Sequence, residues 1–166
     1  QIKAFAKQYA LRTVVCRLAT VFGPRQRVNE RLGWRPLVAT FVERMTTGAP
    51  PVIFGDGEQT RDLIYVTDVV HGLIGAFNSD RASGETFNIS TGVETSVNEV
   101  FRMIANILGS AVVPERGSPS VGDIRRMCYS NAKARETFDF EIRYPLSSAL
   151  KDYVAWCLEN VHKRRR

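Results

Sequence analysis

Histidine is almost missing from the chain: His71 and His162 are the two in 166 residues. A metal centre built from several histidines, or a Ser-His-Asp triad, has little material here. His71 sits on the flank of a helical pattern and reads as structural. Cysteine is sparse as well, since Cys16, Cys128 and Cys157 are far apart and show no C-x-x-C spacing. Neither a zinc site nor a disulfide framework is indicated, and a reducing cytoplasm is the simplest setting. Cys16 lies in an apolar strand-like run and Cys157 on the apolar face of the last helical pattern, where cysteine behaves as a small buried hydrophobe. Long apolar runs are absent too, none approaching the roughly 20 residues of a membrane span, and no signal peptide is visible.

What is present is ordinary for a globular chain: 44% hydrophobic and 24% charged residues, in a length that suits one domain with a real core. The net charge of +6 could suggest a polyanion, but the last four residues, Lys163 to Arg166, carry four of those charges. A basic run at a chain end is usually a solvated terminus, so a nucleic-acid partner is not favoured.

The chain is organised around residues 54–70, Phe-Gly-Asp-Gly-Glu-Gln-Thr-Arg-Asp-Leu-Ile-Tyr-Val-Thr-Asp-Val-Val. Two glycines around Asp56 predict a tight turn at 55–57, because glycine reaches positive φ without a steric penalty. Leu63 to Val66 follow as a short strand, and Thr67 is placed to cap a helix whose apolar face is Val69, Val70, Leu73, Ile74 and Phe77. Arg61 stands at the mouth of that strand, where a rigid fork of donors suits a phosphate or a carboxylate. A structural salt bridge with Asp62 or Asp68 is the competing reading.

The remaining elements follow in order. Ile2, Phe5, Ala6 and Tyr9 share one helical face without a capping residue ahead of them, and Thr13 to Ala19 is a β-branched run that predicts a buried parallel strand. Residues 25–35 read as a loop in which Arg25, Arg27, Arg31 and Arg35 are interrupted by Trp34. Pro36 opens a helix with Leu37, Val38, Phe41, Val42 and Met45 on its buried face, and Val52 to Phe54 form a short strand. Phe87 to Ser90 is another strand. Ser96 and Glu99 form a capping box for a helix that Gly109 stops, and Ser130 and Ser147 are placed to cap the last two helices.

The order of residues in 54–70 resembles the GDGxQxRDxIYVxDV signature of the extended short-chain dehydrogenase/reductase family, the NAD-dependent nucleotide-sugar epimerases and dehydratases. Arg17-Leu18-Ala19-Thr20-Val21-Phe22-Gly23-Pro24-Arg25 resembles that family's RxxNVYGPR, Phe87 to Gly92 its FNIGTG, and Gly122 to Arg126 its GDxRR. The resemblance implies an α/β fold, here expected to be the C-terminal part of a Rossmann-type parallel sheet plus a small α/β substrate-binding lobe. It also implies that the family's catalytic Tyr-x-x-x-Lys pair lies upstream of Gln1, and no G-x-x-G-x-x-G fingerprint follows a strand in this chain. The chain is thus expected to be the C-terminal, substrate-binding half of such an enzyme, inactive alone, with the missing N-terminal half as partner and a homodimer when intact.

By the same resemblance the cofactor is NAD or NADP and the ligand a nucleotide sugar, a UDP-sugar first. Arg61 is implied to hold the diphosphate, Thr20 and Asp123 to contact the nucleotide sugar, Leu37, Val38, Val52 and Phe54 to border the base, and Ala19 to lie at the cofactor. Two departures stand out. Thr20 replaces the usual asparagine, and Ser120 occupies the place of a second diphosphate arginine, for which Arg125 or Arg116 is expected to substitute. A nucleotide-sugar-binding module without turnover and a basic nucleic-acid-associated protein are the alternatives. An apolar surface on the first helix and strand is expected to cause self-association.

Overall fold

The computed structural model describes residues 1–26, 28 and 35–160, without the side chain of Lys3. Of the expected loop, Arg27, Arg31 and Trp34 lie outside the described residues, as do His162 and the basic tail 163–166. In chain order the first elements are α1 (Ile2–Tyr9), β1 (Val15–Leu18), β2 (Thr20–Phe22), α2 (Leu37–Thr46), β3 (Val52–Phe54), β4 (Thr60–Arg61) and β5 (Leu63–Tyr65). They are followed by α3 (Val66–Asn78), β6 (Thr86–Ile89), β7 (Thr95–Ser96), α4 (Val97–Leu108), β8 (Glu115–Gly117), α5 (Ala132–Phe138) and α6 (Leu146–Asn160).

The β-branched run ahead of Gly23 forms β1 and β2, and its partner changes at Ala19. The Ala19 N–H donates to Ile89 O at 3.0 Å, whereas the next N–H, that of Thr20, donates to Asp62 O at 2.9 Å. Successive N–H groups of a strand point to opposite edges, so β6 and β5 flank this run on its two sides. Both pairings are parallel, with Val15 opposite Thr86 and Thr20 opposite Leu63. A third parallel ladder joins β3 to β8, and β4 pairs with β7 antiparallel.

This arrangement corrects the expected division into the end of a Rossmann-type sheet and a separate small lobe. Parallel pairing runs from Val15 to Gly117, and each parallel pair is closed by a crossover containing at least one helix. Rossmann-type pairing therefore extends through the described chain instead of stopping where a lobe would begin.

Two apolar clusters fill the interior. Val38, Phe41, Val42 and Met45 on one face of α2 pack with Val100 and Ile104 of α4 and Leu150, Tyr153 and Val154 of α6. Ile64, Val69, Phe87, Ile89 and Phe140 form the second. Local signals explain the helix ends: Ser96 Oγ accepts the Glu99 N–H at 3.1 Å, and Gly109 closes α4 at φ 59°. Thr67 does not cap α3; the helix starts at Val66 without a side-chain cap.

The expected apolar face of α3 is also displaced. Val69 is buried, but Val70, Leu73, Ile74 and Phe77 are exposed, Phe77 by 80%. The reason is that α3 docks through its small residues. A Cβ on Gly72 would stand 2.9 Å from Ile89, and one on Gly75 3.0 Å from Phe138, so the helix approaches its neighbours along the Asp68, Gly72, Ala76 side. Ile2, Phe5 and Tyr9 of α1 are exposed as well. Exposed aromatic and aliphatic groups of this size promote association. The chain is expected to self-associate with rising concentration, and Phe77→Asp to weaken that association. Size-exclusion profiles independent of concentration for the parent chain would overturn this.

Two carboxylates are fully buried, and each gathers backbone donors. Asp62 accepts from Thr91 N–H at 2.9 Å, Thr91 Oγ1 at 2.7 Å, Gly92 N–H at 3.0 Å and Tyr129 N–H at 3.3 Å. Asp68 accepts from the N–H groups of Arg143 and Tyr144 at 3.1 and 3.2 Å. Removing such an acceptor leaves its donors unpaired at about 1–3 kcal/mol each. Asp62→Ala is expected to lose at least about 3 kcal/mol of stability, read as a lower denaturant midpoint at unchanged slope. A midpoint within error of the parent would show that water replaces the carboxylate without cost.

Candidate functional site

The turn after β3 forms as its sequence predicts: Gly55 and Gly57 have φ of 67° and 76°. It rests on the first turn of α4, where Asn98 Nδ2 donates to Asp56 O at 2.8 Å and to Glu58 Oε1 at 2.6 Å. A Cβ on Gly57 would meet Asn98 Oδ1 at 2.3 Å, so no larger residue fits that position without displacing the side chain. With the turn held, β4 starts at a defined point and Arg61 follows.

Arg61 is held from three sides. Its Nη1 donates to Thr60 O and to Ile124 O, both at 2.7 Å, and its Nη2 donates to the Asp123 carboxylate. The side chain is 18% exposed and lines a cavity together with Asp123. The structural partner is thus Asp123, and not Asp62 or Asp68, which face the interior and are satisfied there.

Residues 123–126 are fastened by crossed charge pairs. Arg125 donates to both oxygens of Asp56 at 2.7 and 2.9 Å, and Arg126 donates to both oxygens of Glu94 at 3.0 and 2.8 Å. Thr60 contributes twice, its hydroxyl to Glu94 at 2.8 Å and its N–H to Arg125 O at 2.9 Å. Arg125, hydrogen-bonded to Asp56, holds that carboxyl below the usual carboxylate range, and Arg126 with Thr60 does the same for Glu94. Burial pushes the Cys128 thiol up, which argues against a nucleophile there.

The cavity has a volume of about 700 Å³, within the range of small-molecule sites. Thr20, Leu37, Val52, Phe54, Arg61 and Asp123 line it, so six of the substrate residues expected from sequence meet in one place. Val38 does not; it is 2% exposed and packs in the core. Arg125 does not line the cavity either, and Arg116 donates to Asp56 O at 3.1 Å. Both arginines support the turn, and Ser120 lines the cavity without replacement from either. Ala19 packs against the second apolar cluster at the residue where the strand changes partner.

Sequence reasoning misses other cavity residues. Thr40 and Arg44 line it from α2 and Thr47 from just past its end, and Gln59 reaches it while donating to Phe54 O at 3.0 Å. The signal is available in α2, whose positions 37, 40 and 44 recur on one face while 38, 41, 42 and 45 form the apolar one.

The model of the NAD dependent epimerase/dehydratase family matches residues 1–90. The chain belongs to that family. UDP-glucose 4-epimerase of Mycolicibacterium smegmatis is 38% identical over 136 residues, covering 82% of this chain and 42% of the relative. Among solved structures, UDP-glucose 4-epimerase of Thermotoga maritima with UDP-glucose is 37% identical, with a TM-score of 0.89 over 96% of this chain and 50% of that one. The UDP-glucose 4-epimerase of Thermus thermophilus in complex with NAD is 26% identical, with a TM-score of 0.81 over 93% of this chain and 49% of that one. The chain spans about half the length of the relatives it matches.

These findings correct three expectations. The family match occupies residues 1–90, the N-terminal part of the chain, and the likeness extends along nearly all of it. The description as a C-terminal remnant is withdrawn on that ground. So are the assignment of function as the substrate-binding half alone and the missing N-terminal half as partner. Membership in an NAD-dependent epimerase/dehydratase enzyme family stands at the level of the whole chain. No helix among the described residues is long and apolar enough to cross a membrane.

The charge pairs around residues 123–126 make a pH prediction. A carboxyl whose folded pKa is lowered contributes stability that is present above its unfolded value, about 4, and is lost as pH falls through the lowered folded value. Carbon-13 titration of the Asp56 and Glu94 carboxyls is expected to give midpoints below those of unstructured peptides, with Arg125→Met raising the first. Ordinary midpoints for both would show the pairs open in solution.

Proposed function

We propose that the cavity between α2, β3 and β4 binds a nucleoside-diphosphate sugar, and that the chain serves an NAD-dependent epimerase or dehydratase reaction at a carbon of that sugar. The observation that carries this reading is Arg61, a guanidinium kept at the cavity wall by two backbone carbonyls. A planar fork of donors fixed in this way suits a diphosphate, which accepts at two oxygens at once. Asp123 holds the same fork, so the pyrophosphate would take over donors now given to a carboxylate.

In this reading Leu37, Val52 and Phe54 form the wall against the base, and Val38 contributes through its backbone alone. Thr20 and Asp123 contact the sugar portions. Arg125 acts as a positioning residue through Asp56. Binding energy from the nucleotide, remote from the reacting carbon, would orient the hexose.

Hydride removal from the sugar carbon and its return would be the chemistry that bound NAD supplies. Its reacting end is assigned to Ala19, just past the carboxyl end of β1 where the strand changes partner, since ligands of open α/β sheets lie beyond strand carboxyl ends. Glycines do not form a phosphate cradle there. Gly23 closes on Val66, with a Cβ built on it only 2.5 Å from Val66 Cγ1, so that glycine serves packing. No catalytic acid or base is assigned to this chain, and a cytoplasmic setting belongs to the same reading.

Titration calorimetry of the chain with UDP-glucose is expected to show binding that Arg61→Ala weakens by about 10- to 100-fold, the loss of one charged hydrogen-bonding group. Arg61→Lys should recover part of it. Because Arg61 also ties down Ile124, thermal melts of each variant separate lost folding from lost contact. Absence of UDP-glucose binding by the intact parent chain at millimolar ligand would end this reading.

A further inference from the structure

We propose that Arg44 reads the nucleobase, directing the cavity toward bases that present a carbonyl edge (uracil, thymine, guanine) and away from those that present an amino group (cytosine, adenine). This rests on the nucleotide-sugar reading above and deepens it.

The inference starts from α2, which has two working faces. One buries Val38, Phe41, Val42 and Met45 in the core. The other turns Thr40 and Arg44 into the cavity. Arg44 is half-buried, and its Nε donates to Pro50 O at 2.7 Å, which fixes the plane of the guanidinium beside the start of β3. Its two terminal nitrogens have no protein partner among the described residues. One turn earlier, Thr40 Oγ1 is buried on the same wall without a hydrogen-bond partner. Buried polar groups are normally paired, so an orphaned hydroxyl beside an open donor fork marks a place built for a polar guest.

Which part of a nucleotide fits follows from the surroundings. Arg61 lines the same cavity from β4, tied to Thr60 and Ile124, and already offers a cation to phosphate. Arg44 is anchored to Pro50, just ahead of β3, whose Val52 and Phe54 line the same cavity, and the Phe54 ring, 45% exposed, offers a flat apolar face to a base. Guanidinium nitrogens only donate, whereas a threonine hydroxyl donates and accepts. Together they suit a base whose edge farthest from the ribose presents a carbonyl next to a ring N–H, as uracil and thymine do with O4 and N3–H and guanine with O6 and N1–H. At that edge cytosine and adenine present an exocyclic amine beside a ring nitrogen without hydrogen, so a donor faces the guanidinium. A site built to hydrogen-bond its ligand discriminates strongly against one that cannot answer.

The test is calorimetric titration of the chain with UDP, GDP, CDP, ADP and inorganic pyrophosphate, for the parent, Arg44→Met and Thr40→Val. Methionine keeps the apolar stem, and thermal melts control for folding. The parent should bind UDP and GDP more tightly than CDP and ADP. Arg44→Met should weaken UDP by about tenfold or more while leaving CDP and pyrophosphate nearly unchanged, so that the preference collapses. Thr40→Val should narrow it in the same direction. Should Arg44→Met keep the parent's order of bases, the proposal is wrong. Equal weakening of every diphosphate and of pyrophosphate would also overturn it, assigning Arg44 to the phosphates. If the folded parent binds none of the nucleotides, the nucleotide-sugar reading itself fails first.

Discussion

The buried carboxylate of Asp62 is the constraint on which the rest of the site depends. It directly follows β4, has no exposure and draws Thr91, Gly92 and Tyr129 onto one point. Those donors come from the loop after β6 and from the segment after Arg126, two stretches otherwise remote in sequence. Side chains alternate along an extended strand, so fixing Asp62 inward turns its neighbour Arg61 outward. The interior anchor and the cationic wall of the cavity are consequences of one another. A charged group at zero exposure is tolerated because four donors satisfy it, and this satisfaction makes the geometry single-valued.

Much of this is legible in the residues. The glycines about Asp56, the apolar run after Arg61, the Ser96 and Glu99 spacing and the stop at Gly109 are local signals, and local structure follows them. Six substrate residues inferred from family resemblance meet in one cavity for a similar reason: each belongs to a motif whose backbone is set by nearby residues. Expectation and structure part where the outcome depends on what an element packs against. In α3 apolar residues cover most of the circumference, so periodicity does not say which side is buried. Gly72 and Gly75 decide it, because only a face without Cβ atoms lets Ile89 and Phe138 approach. Charge alone assigns Arg125 to ligand, whereas its place depends on Asp56, a residue 69 positions away. Which part of the family the chain represents is likewise not fixed by single motifs; the extent of the match decides it.

The chain's positive charge has a specific distribution. Arg61, Arg125 and Arg126 are each answered by a carboxylate from another segment, Asp123, Asp56 and Glu94. Exposed pairs of this kind contribute little stability singly. Their effect lies in geometry: three ties in four residues keep 123–126 across the turn and β4, closing the cavity on that side. Cations neutralised in pairs also project a weaker field, which is poor design for gathering a long polyanion and compatible with a small ligand that enters and competes for one fork.

In the proposed reading, competition of this kind gives Asp123 its place beside Arg61. A bare guanidinium at a part-buried wall would be costly to desolvate, and the carboxylate offsets that cost while no ligand is bound. The two carbonyls on Nη1 do not need to leave when an anion arrives, since they occupy donors on a different nitrogen from the one that Asp123 takes. Arg61 can therefore change its anionic partner without losing its anchorage, and the only bond exchanged is the one facing the cavity. On α2, Arg44 is likewise tied by Nε to Pro50 O, and its terminal nitrogens have no protein partner among the described residues. Each arginine takes its position from backbone carbonyls, two for Arg61 and one for Arg44, and in the proposed reading meets the ligand through other nitrogens.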